Sequence, residues 1–557
     1  MIKTMKNALL SLFFIVFSFS GSAAVNPDNG NFHVKNTDFL VLTQGINIEV
    51  SRTYNSRSSY IRGAFGVGWS SEMEGSLDLK GDQIVYLEAG GGNAVVFKKA
   101  SAKLWKSSSA GNQSIEGSKE GYRLNSTNGR SYFFNKAGRL ARLSDNTGNF
   151  VEYSYSKGGQ IELIKDNFNN QVKLKYQAFG GFPRVVLIER NEFKARFEYD
   201  GLGNLKKAVG MDAVPYAYEY DDQYNLTKVT YQDGTYKELS YNKIRDWVKK
   251  YRDIDGMVTE YDYFSDSLDP ENKFGTAIKQ YKEGTKEIEE ARFWYEFRRK
   301  DSGERYKYRS VSIMRIPNPD EYYLNNGKIP EDTPYTVNET FYTACCSTPL
   351  SIATWEQPAK YKFPSESNSI VWADTKEKKR ITKFDYYSSG DFQGFLRSKT
   401  LPNGMNFSVK YEKTHKKISE LTRGKQVIGY SYDDEGSPVA ISDSLSKKLF
   451  NISYGTKGEI TLVQEQALKS KKKLRTVLFR YNGDGQAVEI KEKLASGDAG
   501  SIQVVYSPSG RVSQVLNAKG RIIASQSERE RARRISETFT MLVELLRPVG
   551  LSFGPEG

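Results

Sequence analysis

Apolar and polar residues alternate along most of this chain in short runs that are separated by turn-forming segments. Residues 218–226 read YEYDDQYNL, and their aromatic side chains recur near every second position, as in a strand with one buried face. Asp-Gly and Asn-Gly pairs occur between such runs, at 200–201, 233–234 and 403–404. These pairs tolerate the positive φ of tight hairpin turns. The pattern therefore predicts repeated strand, turn and strand units.

An aromatic residue marks each unit at a nearly constant interval. The spacing is 21 to 23 residues in a first series and 21 to 27 in a second. The thirteen positions are Phe134, Tyr155, Tyr176, Tyr199, Tyr220, Tyr241, Tyr263, Tyr386, Tyr411, Tyr432, Tyr454, Tyr481 and Tyr506. Such a period indicates a repeat array, in which stacked units bury a common core. We assign these side chains a structural role, and chance alternation in an ordinary β-domain does not explain thirteen of them.

We therefore predict an all-β protein in which antiparallel β-hairpins form one long curling sheet or partial shell. A single amphipathic helix is predicted at 528–547, where Ile535, Phe539, Leu542 and Leu546 form an apolar stripe and Pro548 ends the helix. This helix could cap the open edge of the last strand, lie on a membrane or dock a partner. We favour capping, because an unpaired strand edge invites aggregation.

These units resemble the RHS or YD repeats of bacterial proteins, which consist of an aromatic, any residue, Tyr, Asp, a Gly-Asn turn and a Leu. Residues 197–205, FEYDGLGNL, and residues 218–226 match that pattern well, whereas residues 430–436 and 479–482 keep less of it. Segments that resemble the N-terminal domain of the same family lie upstream, in order: NPDNGNF at 26–32, SRTYNSR at 51–57 and GAFGVGWS at 63–70. The resemblance covers roughly residues 25–265 and 380–515.

The resemblance implies a β-shell and a binding or encasing role. Many relatives end the shell with a DPxG-type motif, where an internal protease cuts, and carry a variable toxin beyond it. This chain has no DPxG motif, and only 51 residues follow Tyr506. We therefore do not expect self-cleavage or a toxin domain from the chain itself.

The first 24 residues predict a secretory signal peptide. Lys3 and Lys6 precede an apolar run over 8–19, and small residues follow up to Ala24, after which we expect cleavage. A membrane anchor is disfavoured because the apolar run is shorter than the span of about 20 residues that a bilayer needs. We expect a secreted or cell-surface bacterial protein, with the periplasm as a further option and no other membrane span.

Composition shifts divide the chain into six segments. They are the signal peptide at 1–24, an N-terminal β-rich domain at 25–130, a first repeat array at 131–265, an irregular insertion at 266–380, a second array at 381–526 and a helix with tail at 527–557. The insertion loses the period and contains eight prolines. It is either a specificity surface or a drifted repeat unit with extended loops, and the sequence leaves both open.

Within the insertion, aromatic and basic residues suggest a recognition surface that binds by stacking and charge: Trp294, Tyr295, Arg298, Arg299 and Trp355. The adjacent Cys345 and Cys346 form either a vicinal disulfide or two buried thiols, and we favour the thiols. With no CxxC pair and only His33 and His415 as histidines, we expect no metal site.

The formal charge of +14 falls to +12 without the two lysines of the signal peptide, and the basic residues are scattered among 67 acids. A solvated surface explains this distribution better than a nucleic-acid interface, so we expect no nucleic-acid partner. No GxSxG, HExxH or GxxxxGK[ST] motif occurs, and Asp253-Ile254-Asp255-Gly256 fits a turn better than a calcium loop. We therefore predict no catalytic residue and no cofactor.

Three functions follow from these observations. The first is a non-enzymatic scaffold that binds cell-envelope carbohydrate or a partner protein. The second is a shell component of an RHS-type toxin-delivery system that works with a separately encoded toxin. The third is an enzyme acting on polysaccharide, which would need two close carboxylates in a cleft.

Overall fold

The structure of the protein, a computed structural model, describes most of the chain between residues 23 and 521. The described ranges are 23–43, 45–58, 61–88, 94–107, 113–125, 130–145, 148–284, 288–301, 303, 305–316, 325, 329–344, 348–359, 379–434, 436–456, 459–482, 487–497, 499–506 and 512–521. Residues 1–22 of the predicted signal peptide, Cys345, Cys346 and the helix predicted at 528–547 lie outside these ranges. Within them, no helix is long and apolar enough to cross a membrane.

Residues 23–75 form a small unit, here called the N-terminal module. Its strands are β1 (Ala23–Asn26), β2 (Asn31–Val41), β3 (Ile48–Asn55), β4 (Arg62–Gly63), β5 (Gly66–Val67) and β6 (Trp69–Ser70), with 3-10 turns at Ser56–Ser58 and Glu72–Glu74. An antiparallel sheet has the order β1-β2-β3-β6, and β4 pairs with β5. The module is thus compact enough to pack as one body against a larger sheet.

The remaining strands form one antiparallel sheet of 36 strands, each paired with its neighbours in chain order. The N-terminal strands are β7 (Ser76–Lys80), β8 (Gln83–Leu87), β9 (Ala94–Ser101), β10 (Leu104–Ser107), β11 (Ser114–Gly117), β12 (Gly121–Asn125), β13 (Ser131–Asn135) and β14 (Leu140–Ser144). The first array continues as β15 (Phe150–Tyr155), β16 (Ile161–Asp166), β17 (Gln171–Phe179), β18 (Phe182–Arg190), β19 (Phe193–Tyr199), β20 (Leu205–Val209), β21 (Pro215–Tyr220), β22 (Leu226–Thr230), β23 (Tyr236–Asn242), β24 (Trp247–Arg252) and β25 (Met257–Ser265).

The sheet continues without a break through the segment that had been expected to be irregular. This segment contributes β26 (Lys273–Lys282), β27 (Glu289–Arg299), β28 (Arg305–Arg315), β29 (Tyr335–Tyr342) and β30 (Pro349–Gln357). The second array is β31 (Arg380–Tyr386), β32 (Leu396–Thr400), β33 (Asn406–Tyr411), β34 (Ile418–Arg423), β35 (Gln426–Tyr432), β36 (Pro438–Asp443), β37 (Lys448–Tyr454), β38 (Ile460–Ala467), β39 (Lys473–Tyr481), β40 (Ala487–Leu494), β41 (Ala499–Tyr506) and β42 (Val512–Asn517). The predicted all-β hairpin array is confirmed.

Within the described ranges, the two ends of the sheet do not pair with each other. Strand β7 meets the start of β14 through a bridge between Ser76 and Arg139 and a bond of 2.7 Å from the Leu77 amide to the Gly138 carbonyl. Among the described residues, β42 pairs only with β41. One apolar side chain from each of β7–β14 fills the resulting first turn: Leu77, Ile84, Phe97, Trp105, Ile115, Leu124, Phe134 and Leu140. The first eight strands therefore close on themselves, and the rest curls away as an open ribbon.

A β-bulge directly precedes the repeat aromatic in twelve of the thirteen units, with Tyr263 as the exception. A bulge adds one residue to one strand and increases the local twist. The repeat therefore bends the ribbon at regular intervals.

The two faces of the ribbon differ in chemistry. In β19, Ala195, Phe197 and Tyr199 are buried on one face, while Lys194, Arg196 and Glu198 are exposed on the other. We call the first the tyrosine face. On the opposite face, cross-strand ion pairs recur between successive strands: Glu198 with Lys207, Glu219 with Lys228, Glu260 with Lys250, Glu420 with Lys410 and Glu489 with Arg480. In these strands, charged side chains face solvent on one side of the sheet, and apolar side chains are buried on the other.

Candidate functional site

The tyrosine face of the first array curls around the N-terminal module. The Phe65 ring packs on Phe197 with 5.1 Å between centroids, and Trp69 packs on Tyr218 at 5.3 Å. Strand β3 contacts β16, and the module also reaches β28, where the Lys307 ammonium lies 2.7 Å from the Asp28 carboxylate. Twelve strand spacings separate β16 from β28, roughly 58 Å in a flat sheet. A four-stranded module can contact both only because the sheet curls around it.

Backbone hydrogen bonds fix the module against the sheet at several strands. The Val185 amide donates to the Ala64 carbonyl and the Val248 amide to the Gly30 carbonyl, each at 2.9 Å. Gly30 has a φ of 64° and lies against Trp247, so close that an added Cβ atom would be 2.5 Å from the Trp247 Cβ. Only glycine fits both the backbone conformation and this contact.

A buried ion pair lies at the centre of this interface. The Arg52 Nε is 2.8 Å from Asp38 Oδ2, and both side chains are almost completely buried. The guanidinium lies between two rings, 4.6 Å from the Trp69 centroid and 5.1 Å from that of Tyr218. Desolvation raises the pKa of Asp38, although the charge of Arg52 acts in the opposite direction. Two module strands and the sheet thus meet at one charged contact.

The hydroxyl of the repeat tyrosine links neighbouring hairpins. Tyr241 donates to the Leu226 carbonyl at 2.8 Å, and Leu226 opens the second strand of the preceding hairpin. Equivalent bonds join Tyr155 to Leu140, Tyr199 to Val185, Tyr263 to Val248, Tyr386 to Pro349, Tyr411 to Leu396, Tyr432 to Ile418, Tyr454 to Pro438 and Tyr481 to Ile460. Tyr220 instead accepts a bond of 2.9 Å from the Trp69 indole. This bond connects a repeat directly to the module.

The aspartate that follows the tyrosine shapes the turn. Asp221 Oδ1 accepts the amides of Gln223 and Asn225 at 2.9 and 2.8 Å, and its Oδ2 accepts the Asn225 side chain. Asp200 holds Asn204 in the same way. Both carboxylate oxygens therefore accept hydrogen bonds that fix the turn.

The second array carries an apolar cluster of its own on the tyrosine face. Its buried members are Val409, Ile418, Leu421, Ile428, Ile441, Phe450, Ile452 and Val463. Half-buried aromatics pack around them: Tyr411, Tyr430, Tyr454 and Phe479. Beside the cluster, Arg475 lies 3.2 Å from Glu465 and 3.0 Å from Glu492, with both carboxylates buried. The contacts of the N-terminal module described above all fall between β15 and β28, so this part of the face is distinct from them.

The chain is similar to one known family of domains and to several solved structures. Residues 22–97 match a family described as a domain of unknown function, DUF6531. No curated protein matches the chain. Among solved structures, the chain is similar to TcdB2-TccC3-Cdc42 (12% identity, TM-score 0.42, 87% of this chain and 24% of that one) and to the Photorhabdus luminescens Tc holotoxin pore (11%, 0.40, 88% and 26%). A third is TcdB2-TccC3-TEV (10%, 0.41, 94% and 28%). The chain spans about a quarter of the length of these structures.

The aromatic residues predicted as an exposed recognition surface are buried, and that expectation is corrected. Trp294 and Trp355 belong to a buried cluster with Val311, Ile313, Val337 and Ala353 on the face opposite the tyrosines. Tyr295 is buried on the tyrosine face, where it packs on Phe274. The long alternating strands β27–β30 bury one set of side chains on each face, which short loops would not do.

The two predicted arginines do lie on the surface. The Arg298 guanidinium stacks 3.3 Å from the Tyr308 centroid and pairs with Glu296 at 3.1 Å. Arg299 donates to the Gly303 carbonyl at 3.2 Å. Sequence reasoning missed Arg52 and Asp38, although the SRTYNSR segment that contains Arg52 was part of the family resemblance.

Proposed function

We propose that this chain is a non-enzymatic shell component that works outside the cytoplasm and encloses part of a separately encoded protein. The observation that supports the proposal is the open ribbon of 36 strands, whose tyrosine face curls inward and whose two ends are not paired with each other in the described part of the chain. The sheet surrounds the N-terminal module but does not close. We infer that a second chain completes the enclosure. The resemblance to RHS proteins supports the same role.

The first array shows how the tyrosine face holds a polypeptide. Aromatic packing, backbone hydrogen bonds and one buried ion pair seat the N-terminal module there. The second array repeats the apolar cluster and its half-buried aromatics, and the described members of this cluster include no residue of that module. We infer that this region is the inner surface available to a client protein.

Two other functions have less support. Carbohydrate recognition depended on exposed aromatics between residues 290 and 365, and Trp294, Tyr295 and Trp355 are buried. A polysaccharide-active enzyme would need two free carboxylates, whereas Glu465 and Glu492 on the tyrosine face are both paired with Arg475. The predicted signal peptide supports export, and detecting the mature N-terminus after fractionation of the cells would test it.

The test is co-expression of the exported chain with the products of its neighbouring genes, one at a time, followed by affinity purification and limited proteolysis. One product is expected to co-purify, and its cleavage should slow by at least about tenfold, because enclosure restricts cleavage to the transiently opened state. If no product co-purifies, or if the bound product is cleaved at its free rate, the proposal fails.

A pair of adjacent residues gives matched variants. Phe479 lies on the tyrosine face beside the second cluster, and Leu478 is exposed on the opposite face. Phe479→Arg should abolish protection of the client, whereas Leu478→Arg should leave it unchanged. Circular dichroism and thermal unfolding check that both variants keep the fold. A loss of client binding in a folded variant then shows that the substituted surface contacts the client.

A further inference from the structure

Four of five consecutive hairpin turns along one edge of the first array carry an exposed apolar side chain. We call this edge the turn rim, formed by residues 179–182, 200–204, 221–225, 242–246 and 266–272. Leu202 is 58% exposed, Ile244 91% and Leu268 94%, and Phe182 is also exposed. Single exposed apolar residues need no explanation, but several at one edge mark an interaction surface, and the two most exposed, Ile244 and Leu268, lie on neighbouring turns.

The five turns lie side by side because turns that follow every second antiparallel strand lie at the same edge. Neighbouring tips are two strands apart, about 10 Å, so the rim extends for roughly 40 Å. Side-chain contacts join the turns: the Gln223 amide donates to the Lys243 carbonyl at 3.4 Å, and the Asn225 amide donates to Asp246 at 3.0 Å. The rim is therefore one surface.

The tips are also held in fixed positions. Asp266 Oδ1 accepts the amides of Leu268 and Asp269 at 2.8 and 3.0 Å, and Asn242 Oδ1 accepts the Ile244 amide at 2.9 Å. Turns at the same edge of the second array have polar tips, such as Lys413-Thr414 and Asp433-Asp434. The hairpin fold does not require apolar tips, so their presence in the first array has another cause.

Charges of opposite sign flank the two most exposed tips. Lys243 and Arg245 surround Ile244, are exposed, and form no ion pair with a carboxylate among the described residues. Asp266, Asp269 and Glu271 surround Leu268. Arg305 donates to the backbone carbonyl of Glu271, and the Glu271 carboxylate forms no ion pair within the described part of the chain.

We infer that the turn rim binds a second copy of this chain. A two-fold axis between turns 242–246 and 266–272 would place Ile244 against Leu268 of the other copy twice, and would bring Arg245 to Glu271 in both directions. A surface with this order of charges is complementary to itself. The carboxylates around Leu268 oppose an anionic membrane, which attracts basic surfaces.

The test is sedimentation velocity of the purified full mature chain from about 1 to 100 µM, a range in which an interface of modest size assembles. The expected result is a concentration-dependent shift from one chain to two. The double variant Ile244→Asp/Leu268→Asp should weaken association by at least about tenfold. Ile254→Asp, at a 45% exposed position in a turn of the opposite edge, is the matched control and should associate like the unmodified chain.

A charge exchange tests the geometry directly. Arg245→Glu and Glu271→Arg should each weaken self-association, because each variant places like charges together in both halves of its own dimer. Mixing the two variants should restore a dimer, in which one half of the interface has the charge pair reversed and the other half has the original pair. The inference would be overturned if the chain stayed monomeric at the highest concentration, or if the rim variants associated like the unmodified chain. The turn rim would then be a surface for another protein or for lipid. The inference is independent of the proposed function, since a monomeric chain could still enclose a client.

Discussion

The repeat tyrosine provides both a buried ring and a hydrogen-bond donor, whereas a phenylalanine would provide only the ring. Its ring lies on the buried face, and its hydroxyl donates to a main-chain carbonyl of the preceding hairpin. At the tyrosine the strand that follows carries one extra residue, Lys249 beside Tyr241 and Val439 beside Tyr432. A buried carbonyl without a donor is costly, so the hydroxyl explains why tyrosine recurs rather than any aromatic.

Replacing Tyr432 with phenylalanine should remove one such bond while keeping the ring. Tyr432 donates to the Ile418 carbonyl at 2.6 Å, so we expect the local free energy of opening to fall by about 1 kcal/mol. Tyr430→Phe, two residues earlier on the same face, is the control. Native-state hydrogen exchange of amides in β34–β36 measures both. Equal protection in the two variants would contradict this role of the hydroxyl.

Burial also sets the alkaline stability of the array. Desolvation raises the pKa of Tyr155, Tyr430 and Tyr454 to about 12, above the value of about 10 expected in the unfolded chain. Because the native state holds these protons more tightly, their contribution to stability is complete below pH 10 and disappears as the pH rises from about 10 to about 12.

A spectrophotometric titration of phenolate checks this expectation. In the native protein a fraction of the tyrosines should resist ionisation until circular dichroism reports unfolding, whereas in concentrated urea all of them should ionise near pH 10. Reversible ionisation of every tyrosine near pH 10 in the folded protein would show that the tyrosine face is open to solvent.

At the scale of the strand and hairpin, much of the fold could be predicted from the sequence. The period of 21 to 23 residues and the Asp-Gly and Asn-Gly turns indicated hairpins, and residues 197–205 fold as a strand, a turn and the start of the next strand. The insertion was harder because β27–β30 bury side chains on both faces, which removes the simple alternation. The bulge between Glu296 and Phe297 shifts the pattern by one more residue.

Burial on both faces of β27–β30 also explains why the expected recognition surface was wrong for Trp294, Tyr295 and Trp355. Adjacent aromatics point to opposite faces of a strand, so Trp294 and Tyr295 could not both belong to one surface. The pairing of Val337 with Trp355 across two strands decides the environment of the tryptophan, and pairing register depends on contacts between distant residues. A local pattern identifies such residues as aromatic but does not show which face is covered.

The turn aspartate gives a prediction at the scale of the hairpin. Asp221→Ala removes the acceptor for the amides of Gln223 and Asn225, and we expect a loss of about 1–2 kcal/mol in the stability of the β21–β22 hairpin. The neighbouring Asp222 is exposed, and Asp222→Ala should change stability by less than about 0.5 kcal/mol. Urea unfolding of the two variants provides the comparison, and indistinguishable midpoints would rule out the proposed role of the turn.

On the scale of the whole molecule, the N-terminal module gives the first array a buried core. A ribbon of hairpins has one apolar face, and an antiparallel sheet is stable when that face is covered. Here the cover comes from the same chain, through contacts from β15 to β28. The module therefore determines the curvature that the bulges allow, and its seating should control the stability of the array.

Arg52→Ala tests this coupling. The substitution leaves Asp38 buried without its cation and removes the group stacked between Trp69 and Tyr218, so we expect a loss of about 3–5 kcal/mol. Arg57→Ala is the control, since Arg57 lies in the same module but is exposed and pairs with no carboxylate among the described residues. Urea unfolding followed by tryptophan fluorescence measures the difference. Because the module covers the tyrosine face, Arg52→Ala should also increase cleavage within the first array during limited proteolysis. If the array remained as resistant as in Arg57→Ala, the sheet would hold its curl without the module.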